Sequence, residues 1–531
     1  MVSKGVCFAE FVFELLSVIS IEMTTSVFGA KILFIPVNVH SHVLYFSRLA
    51  ADLAELGHVT KVVAPSNARV PHFISATEVN FNYITYEVDG VEPFSSSRQV
   101  AEDRLRYALS SSVWKGYMLE TNTKTDVDDH YEADCISLLG NDHVMQQVRL
   151  GDYQFAVLDW LAAHCYCTIP FSLGIPYGIL STSYYAWWYR VPRLPSFSSS
   201  LGYTDRMTFG QRLKTFILDI IQSTQLAQRL ATCVDRLTHD RLFLDVVQSA
   251  SLWFFLEHVA VGYAQPQMPN TVAVGDIMAG RPRKPLPREL EEFMSASKDG
   301  VIAVSFGSNH DVLPQNIVGK LCDAFCDRRN RLCVVWKTDN TRMCRCDDER
   351  IRLIPWIPQN DMLADPRVQM FINHGGFNSI VESVYHAKPL IIFPIFGDQP
   401  TNAGAADYKG YAIRMNIAHF SSESLLSVIN VMLSDPFYKR RAQLSSAILR
   451  DRSDTPAQRV SAMIDHVIKY GDRHLRTAAF ELSTLQLIMF DIFAVLVAAA
   501  VVILVVAILV CYCVCRTCYG FRCTRNKSKA E

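Results

Sequence analysis

The residues with the clearest chemical purpose lie between positions 354 and 402. Ile-Pro-Trp-Ile-Pro-Gln precedes Phe-Ile-Asn-His-Gly-Gly-Phe-Asn-Ser-Ile-Val-Glu, and Phe-Gly-Asp-Gln-Pro-Thr-Asn follows. The apolar run 368–372 ends in His374-Gly375-Gly376, after which a helix-compatible run continues to residue 386. A strand, a glycine turn and a helix start, in that order, offer backbone N–H groups and the positive end of a helix dipole to a phosphate. Asn378 and Glu382 are four apart and share one helix face. A second apolar run, 389–394, delivers Asp398-Gln399 to another strand end, and consecutive strand ends are where open α/β sheets bind ligands. The plainer alternative, an ordinary α/β turn whose histidine caps a helix, leaves Trp356, the Gly-Asp-Gln and the Asn/Glu spacing without a purpose.

Such groups need sheets to position them. The segment 31–37 reads as an apolar strand, 41–56 as a helix closed by Gly57, and 58–64 as a second strand. Strand, helix and strand within thirty-five residues make a βαβ unit and imply a parallel sheet. Segments 155–159 and 176–180 read as later strands of that sheet, and 206–250 as mostly helical; 89–151 is polar and has no clear period. The segment 272–287, with Gly275, Gly280 and three prolines, reads as the linker. Beyond it the alternation restarts with strands 301–306, 332–336 and 351–354 around a helix at 314–328, and helices at 422–433 and 436–449 follow the glycine turn. The prediction is two doubly wound α/β domains.

The order and offsets of the 354–402 motif resemble the signature of the UDP-glycosyltransferases, closest to the membrane-bound UDP-glucuronosyltransferase branch. That resemblance implies a GT-B fold, two Rossmann-like domains facing a cleft, with an acceptor-binding domain at 30–275 and a UDP-sugar-binding domain at 276–485. It also implies roles by position. Trp356 and Gln359 match the uracil contacts; His374, Gly376, Asn378 and Ser379 match the diphosphate cradle, with Ser308 as a further phosphate contact. Glu382 matches the acceptor for the ribose hydroxyls, and Asp398 and Gln399 the pair that reads the sugar. The sugar nucleotide is a co-substrate, so no cofactor and no metal is called for. Asn373 stands where many relatives have threonine, an amide that can still donate, and 257–270 departs from the family's usual approach to the linker.

Sugar transfer from a nucleotide needs the departing diphosphate stabilised and the incoming hydroxyl deprotonated. Histidine is the natural base near neutral pH. His42, just past the first strand, matches the family's catalytic histidine, with His40 as its competitor two residues away. Asp159, ending Phe-Ala-Val-Leu-Asp, matches the carboxylate that fixes the base's tautomer; strand-end aspartates are also common helix caps. The implied reaction is direct displacement with inversion, UDP-glucuronate being favoured over UDP-glucose as donor and a small lipophilic alcohol serving as acceptor. Tyr184, Trp187 and Trp188 can line such an acceptor's pocket or pack a core. The reading from another class is a silent membrane protein that binds a nucleotide or lipid and regulates a partner, and His42 and Asp159 argue against it.

Composition sets the surroundings. Of 531 residues, 24 in a row, 492–515, carry no charge. At about 1.5 Å per residue they span a hydrocarbon core of roughly 30 Å, so a transmembrane helix is expected. Arg516, Arg522, Arg525, Lys527 and Lys529 follow, predicting a cytosolic tail at 516–531, and the lysines three and five from the end match an endoplasmic-reticulum retrieval signal. Residues 1–29 read as a cleaved signal peptide in spite of Glu10, Glu14 and Glu22. The sum is a single-pass type I membrane protein of the endoplasmic reticulum with a lumenal catalytic part. A net charge of −1 without basic, aromatic-interleaved runs points away from nucleic acid, while a homo-oligomer stays open. Nine cysteines fall in the expected lumenal part, where disulfides are permitted, but an odd number without Cys-x-x-Cys spacing gives no readable framework and no zinc site.

Overall fold

The computed structural model describes residues 29–68, 81–88, 126–182, 202–218, 248–307, 313–338, 344, 349–487 and 489–527. The described residues up to Leu475 form one compact unit that carries both sheets, and those from Arg476 onward form a second.

Seven parallel strands make the first sheet: β1 (Lys31–Ile35), β2 (Val59–Pro65), β3 (Phe81–Tyr86), β4 (Phe155–Asp159), β5 (Tyr177–Ser181), β6 (Leu252–Phe255) and β7 (Thr271–Ala273), in the order β3-β2-β1-β4-β5-β6-β7. β4, β5 and β6 are buried along their whole length, as strands covered on both faces must be. Helix α1 (His40–Glu55) joins β1 to β2 and buries Val43, Phe46, Leu49, Ala50 and Leu53, a stripe at helical spacing. Helices α2 (Asp126–Leu139) and α3 (Asp142–Leu150) precede β4, the latter capped by the Asn141 side chain, which accepts from the Val144 N–H.

Six parallel strands make the second sheet: β8 (Val301–Ser305), β9 (Cys333–Lys337), β10 (Ile351–Ile354), β11 (Val368–Asn373), β12 (Leu390–Ile392) and β13 (Ala412–Arg414), in the order β10-β9-β8-β11-β12-β13. Helices α4 (Gln315–Cys326), α5 (Phe377–Tyr385) and α6 (Gln399–Lys409) lie between its strands in the chain, and α7 (Pro456–Tyr470) follows them. In each sheet the strand order reverses once, between β1 and β4 and between β8 and β11. At such a switch point the connections leave to opposite sides and open a crevice at the carboxyl ends of the strands.

One expectation needs correction, and two features were not read from the sequence. β7 takes the first two residues of the stretch read as linker, because Thr271–Ala273 pairs with β6; the chain leaves the first sheet only after residue 273. Helix α7 was not anticipated. It buries Val460, Ile464 and Val467 and packs on α1, so the second half returns to brace the first. Ser461 on α7 meets His58 Nε2 at 2.7 Å. The cysteines also form bridges, Cys135–Cys165 beside the first sheet and Cys322–Cys344 beside the second. Their partners lie 30 and 22 residues apart with secondary structure between, a pairing that spacing does not announce.

In the second unit, α8 (Phe490–Lys527) includes the 28-residue stretch Phe490–Thr517, which among the described residues is the one helix long and apolar enough to cross a membrane. The N-terminal signal reading and Lys529 of the tail lie outside the described residues.

Candidate active site

At the first switch point the chain leaves β1, turns through Val37–Val39 and enters α1. His42 falls in the first turn of that helix, and its Nδ1 lies 2.7 Å from Asp159 Oδ2 at the end of β4. Asp159 is fully buried. Its Oδ2 also accepts from the Val37 N–H at 3.3 Å, and its Oδ1 from the Leu161 N–H at 3.2 Å, capping the turn Trp160–Ala162. The carboxylate is therefore both the cap and the histidine's partner. A proton on Nδ1 directed at this carboxylate leaves the Nε2 lone pair to take a proton. The Tyr45 hydroxyl, one turn along α1, lies 2.7 Å from the same Nδ1. His40 turns elsewhere, its ring set edge-on to Trp356 of the second half at 5.8 Å between centroids.

Behind Asp159 is a buried phenol, Tyr166. Burial holds its ionisation well above the usual tyrosine range, and the nearby Tyr86, Asp134 and Asp159 add to that. Tyr86 is raised by burial and by Asp134.

At the second switch point β11 ends on Asn373, whose Oδ1 accepts the Gly375 N–H at 2.7 Å and folds the chain into a tight turn. Gly375 sits at φ +85, where a side chain is strained, and a Cβ there would also lie 3.0 Å from Ile392 Cγ2. The His374 ring fills the space between two glycines: a Cβ on Gly376 would come within 2.7 Å of His374 Nε2, and one on Gly307, after β8, within 2.9 Å. Helix α5 then starts at a glycine with no side-chain cap, so its first N–H groups lack the usual internal acceptor. The Asn373 side-chain nitrogen, fully buried, meets no acceptor among the described residues.

Around this turn stand the other residues singled out in the sequence. Gln359 Nε2 donates to Glu382 Oε2 at 2.8 Å and to Ser379 Oγ at 3.2 Å, locking those three together on the inner face of α5. Burial pushes the Glu382 carboxyl up to about 7, the Gln359 bond pulls it back and Asp361 adds to the rise. Asn378 is half-buried in the first turn of α5. Trp356 is 55% exposed, unusual for tryptophan and consistent with a flat platform for a ring. Asp398 Oδ2 accepts from Asn402 Nδ2, which also bonds the Gly375 carbonyl, tying the start of α6 to the glycine turn. Gln399 Oε1 accepts from the Ile395 and Phe396 N–H groups, so its oxygen holds the loop that presents Asp398. Ser308 and the aromatic residues Tyr184, Trp187 and Trp188 lie outside the described residues. Sequence reading missed Lys337 and Tyr45. Lys337 ends β9, its Nζ bonded to the Gly307 carbonyl at 3.2 Å and 4.7 Å from the Trp356 ring centroid.

Two parallel α/β sheets, each with polar groups at its switch point, define the GT-B class of glycosyltransferases. Solved structures agree on the fold: the glycotransferase of kitacinnamycin superposes with a TM-score of 0.56 at 17% identity, covering 82% of this chain and 99% of that one. The chain belongs to the family described as UDP-glucoronosyl and UDP-glucosyl transferase, whose model matches residues 30–525. It is similar to the 2-hydroxyacylsphingosine 1-beta-galactosyltransferase of Mus musculus, 28% identical over 90% of this chain and 87% of that one. It is equally similar to UDP-glucuronosyltransferase 2A3 of Mus musculus, 28% identical over 93% of each. The protein is a glycosyltransferase with a C-terminal helix able to span a membrane.

Proposed function

We propose that the chain transfers the sugar of a UDP-sugar, UDP-glucuronate being the favoured donor, to a hydroxyl of a small lipophilic acceptor, with inversion at the anomeric carbon. The observation that carries this reading is the 2.7 Å contact between His42 Nδ1 and the buried Asp159 carboxylate, which prepares Nε2 as a base. His42 takes the acceptor's proton as its oxygen attacks the anomeric carbon, and Asp159 stabilises the imidazolium. UDP leaves toward the uncapped start of α5, where N–H groups and the helix dipole meet the growing negative charge. Gln359 and Trp356 would take the uracil, Glu382 the ribose, and Asp398 and Gln399 the sugar hydroxyls. The aromatic segment at 184–189 would serve the acceptor.

We place the catalytic part in the lumen of the endoplasmic reticulum. Support comes from the apolar helix, the basic residues after it, and a disulfide beside each sheet, which an oxidising compartment favours. The test is turnover by membranes containing the protein with labelled UDP-glucuronate, UDP-glucose, UDP-galactose and UDP-N-acetylglucosamine against a panel of phenols and a 2-hydroxyacylsphingosine. Faster transfer from UDP-glucuronate to phenols is the expected result. Galactose transfer to the sphingoid acceptor would replace it with the activity that the first relative's name describes. UDP binding without transfer from any donor would favour the silent regulator.

A further inference from the structure

We infer that Tyr45 is a positioning residue for the base, a second acceptor on the His42 nitrogen that Asp159 already holds. The inference rests on the reading of His42 as the proton acceptor. Tyr45 follows His42 by three residues on α1, so both side chains share one helix face. Its ring is buried and lies 5.0 Å from the imidazole, centroid to centroid, tilted by 48°. Its Oη and Asp159 Oδ2 are each 2.7 Å from Nδ1.

One nitrogen with two oxygens at that distance has two arrangements. If Tyr45 donates to Nδ1, the ring proton must sit on Nε2, which then cannot accept one, and the Nδ1 lone pair faces the Asp159 oxygen without a proton between them. If Nδ1 carries the proton, it points between Oδ2 and Oη, both oxygens accept, and Nε2 is open. The buried carboxylate selects the second arrangement. The phenol oxygen then steadies the ring in the plane that aims Nε2 at the acceptor. As Nε2 becomes protonated, the Nδ1–H grows more acidic and both of its acceptors bind it more strongly. Tyr45 thus supports the charged form without burying another charge beside Asp159.

A core phenol that merely uses His42 to satisfy its hydroxyl has the same geometry, so the test must read more than stability. In Tyr45→Phe the ring and its packing stay and the acceptor goes. We expect kcat to fall roughly three- to tenfold, the size of one lost hydrogen bond, with KM for both substrates and UDP affinity unchanged. The acidic limb of the rate profile should move to lower pH, because the imidazolium has lost an acceptor. Among the described residues, the ionisable groups beside His42 and Tyr45 are Asp159 on β4 and, behind it, Tyr166 on the short helix that follows, with Tyr86 at the end of β3 and Asp134 on α2 next to Tyr166. All are present in both proteins, so the difference between the two profiles belongs to Tyr45. Wild-type turnover with an unmoved limb overturns the inference, as does a limb displaced to higher pH, which would make Tyr45 a donor to Nδ1. If Tyr45→Phe proves unstable, fluorinated tyrosine incorporated at position 45 weakens the acceptor at nearly the same volume and should shift the limb the same way by less. Wild-type turnover in His42→Ala would instead sink the reading beneath, whatever Tyr45 does.

Discussion

The two switch points occupy the same place in their sheets and are built from different materials. Between β1 and β4 the groups are side chains: a fully buried carboxylate with two backbone N–H donors, and a histidine facing it. Between β8 and β11 they are mostly backbone: two glycines pressed on an imidazole, then a helix start without a cap. Side chains cap several helices, at Asn141, Ser421, Asp435 and Thr455, whereas α1 and α5, which begin at the switch points, have no such bond; α4, which begins after Pro314, and the helix Arg288–Ala296, after Pro287, lack one too. The contrast teaches what each chemistry requires. On the proposed reading the second site takes an anion, which needs donors that nothing else has taken, and the uncapped start of α5 leaves them. If His42 is the base, as proposed, its place in the first turn of α1 puts it at the positive end of the dipole, which disfavours a cation, and Asp159 is the negative partner that offsets this.

This division of labour breaks most visibly by mutation. His42→Ala should lower kcat by roughly two to four orders of magnitude, the usual share of a general base, and leave calorimetric UDP affinity at the wild-type value. Gly376→Ala should do the reverse. Its Cβ would sit 2.7 Å from His374 Nε2, so the turn must shift, and a displacement of that order costs about a hundredfold in a fitted site. UDP binding should fall while the His42–Asp159 pair stays in place. If His42→Ala weakened UDP as much as Gly376→Ala does, the two sites would be one.

How much of this could be read beforehand depended on whether the signal was local. β1, α1 and β2 were legible within two residues, because a buried strand, a stripe at helical spacing and Gly57 all lie in one short stretch. So was the glycine turn, whose residues are neighbours in sequence as well as space. Helix α7 was missed although Thr455, Pro456 and Gln458 spell a capping box, and Val460, Ile464 and Val467 mark its inner face. The short strands β7 and β13 have three residues each, too few to show a period, and exist because a neighbour pairs with them. Lys337 was invisible for a related reason. It reads as the polar end of an apolar strand, and only the sheet brings it to Gly307 and Trp356. Tyr45 reads as one more aromatic residue on a core stripe until Asp159, more than a hundred positions away, arrives at the same nitrogen.

Glu382 sharpens the comparison in another way, since the second site also contains a buried carboxyl, and its donors differ from those of Asp159. Asp159 has backbone N–H donors for both oxygens; Glu382 is buried with a side-chain amide as its donor and is pushed up to about 7. The usual glutamate value in an unfolded chain is about 4.3. Between those two values the folded protein holds a proton that the unfolded chain has released, so stability falls as pH rises through that window. Below it both states are protonated and the group contributes nothing. Above it both are ionised, and the burial cost is fully present, at most about 4 kcal/mol. Gln in this place keeps the shape and an oxygen for Gln359 and never ionises. Relative to wild type, Glu382→Gln should therefore gain thermal stability at pH 8 compared with pH 5, a difference from which every group common to both proteins cancels. Ribose hydroxyls favour the ionised acceptor, so UDP should bind the wild type more tightly as pH rises toward 8, with proton release, and the variant should lose that slope. Parallel melting curves at the two pH values would mean that Glu382 is ionised in the folded protein throughout, and that burial does not raise it.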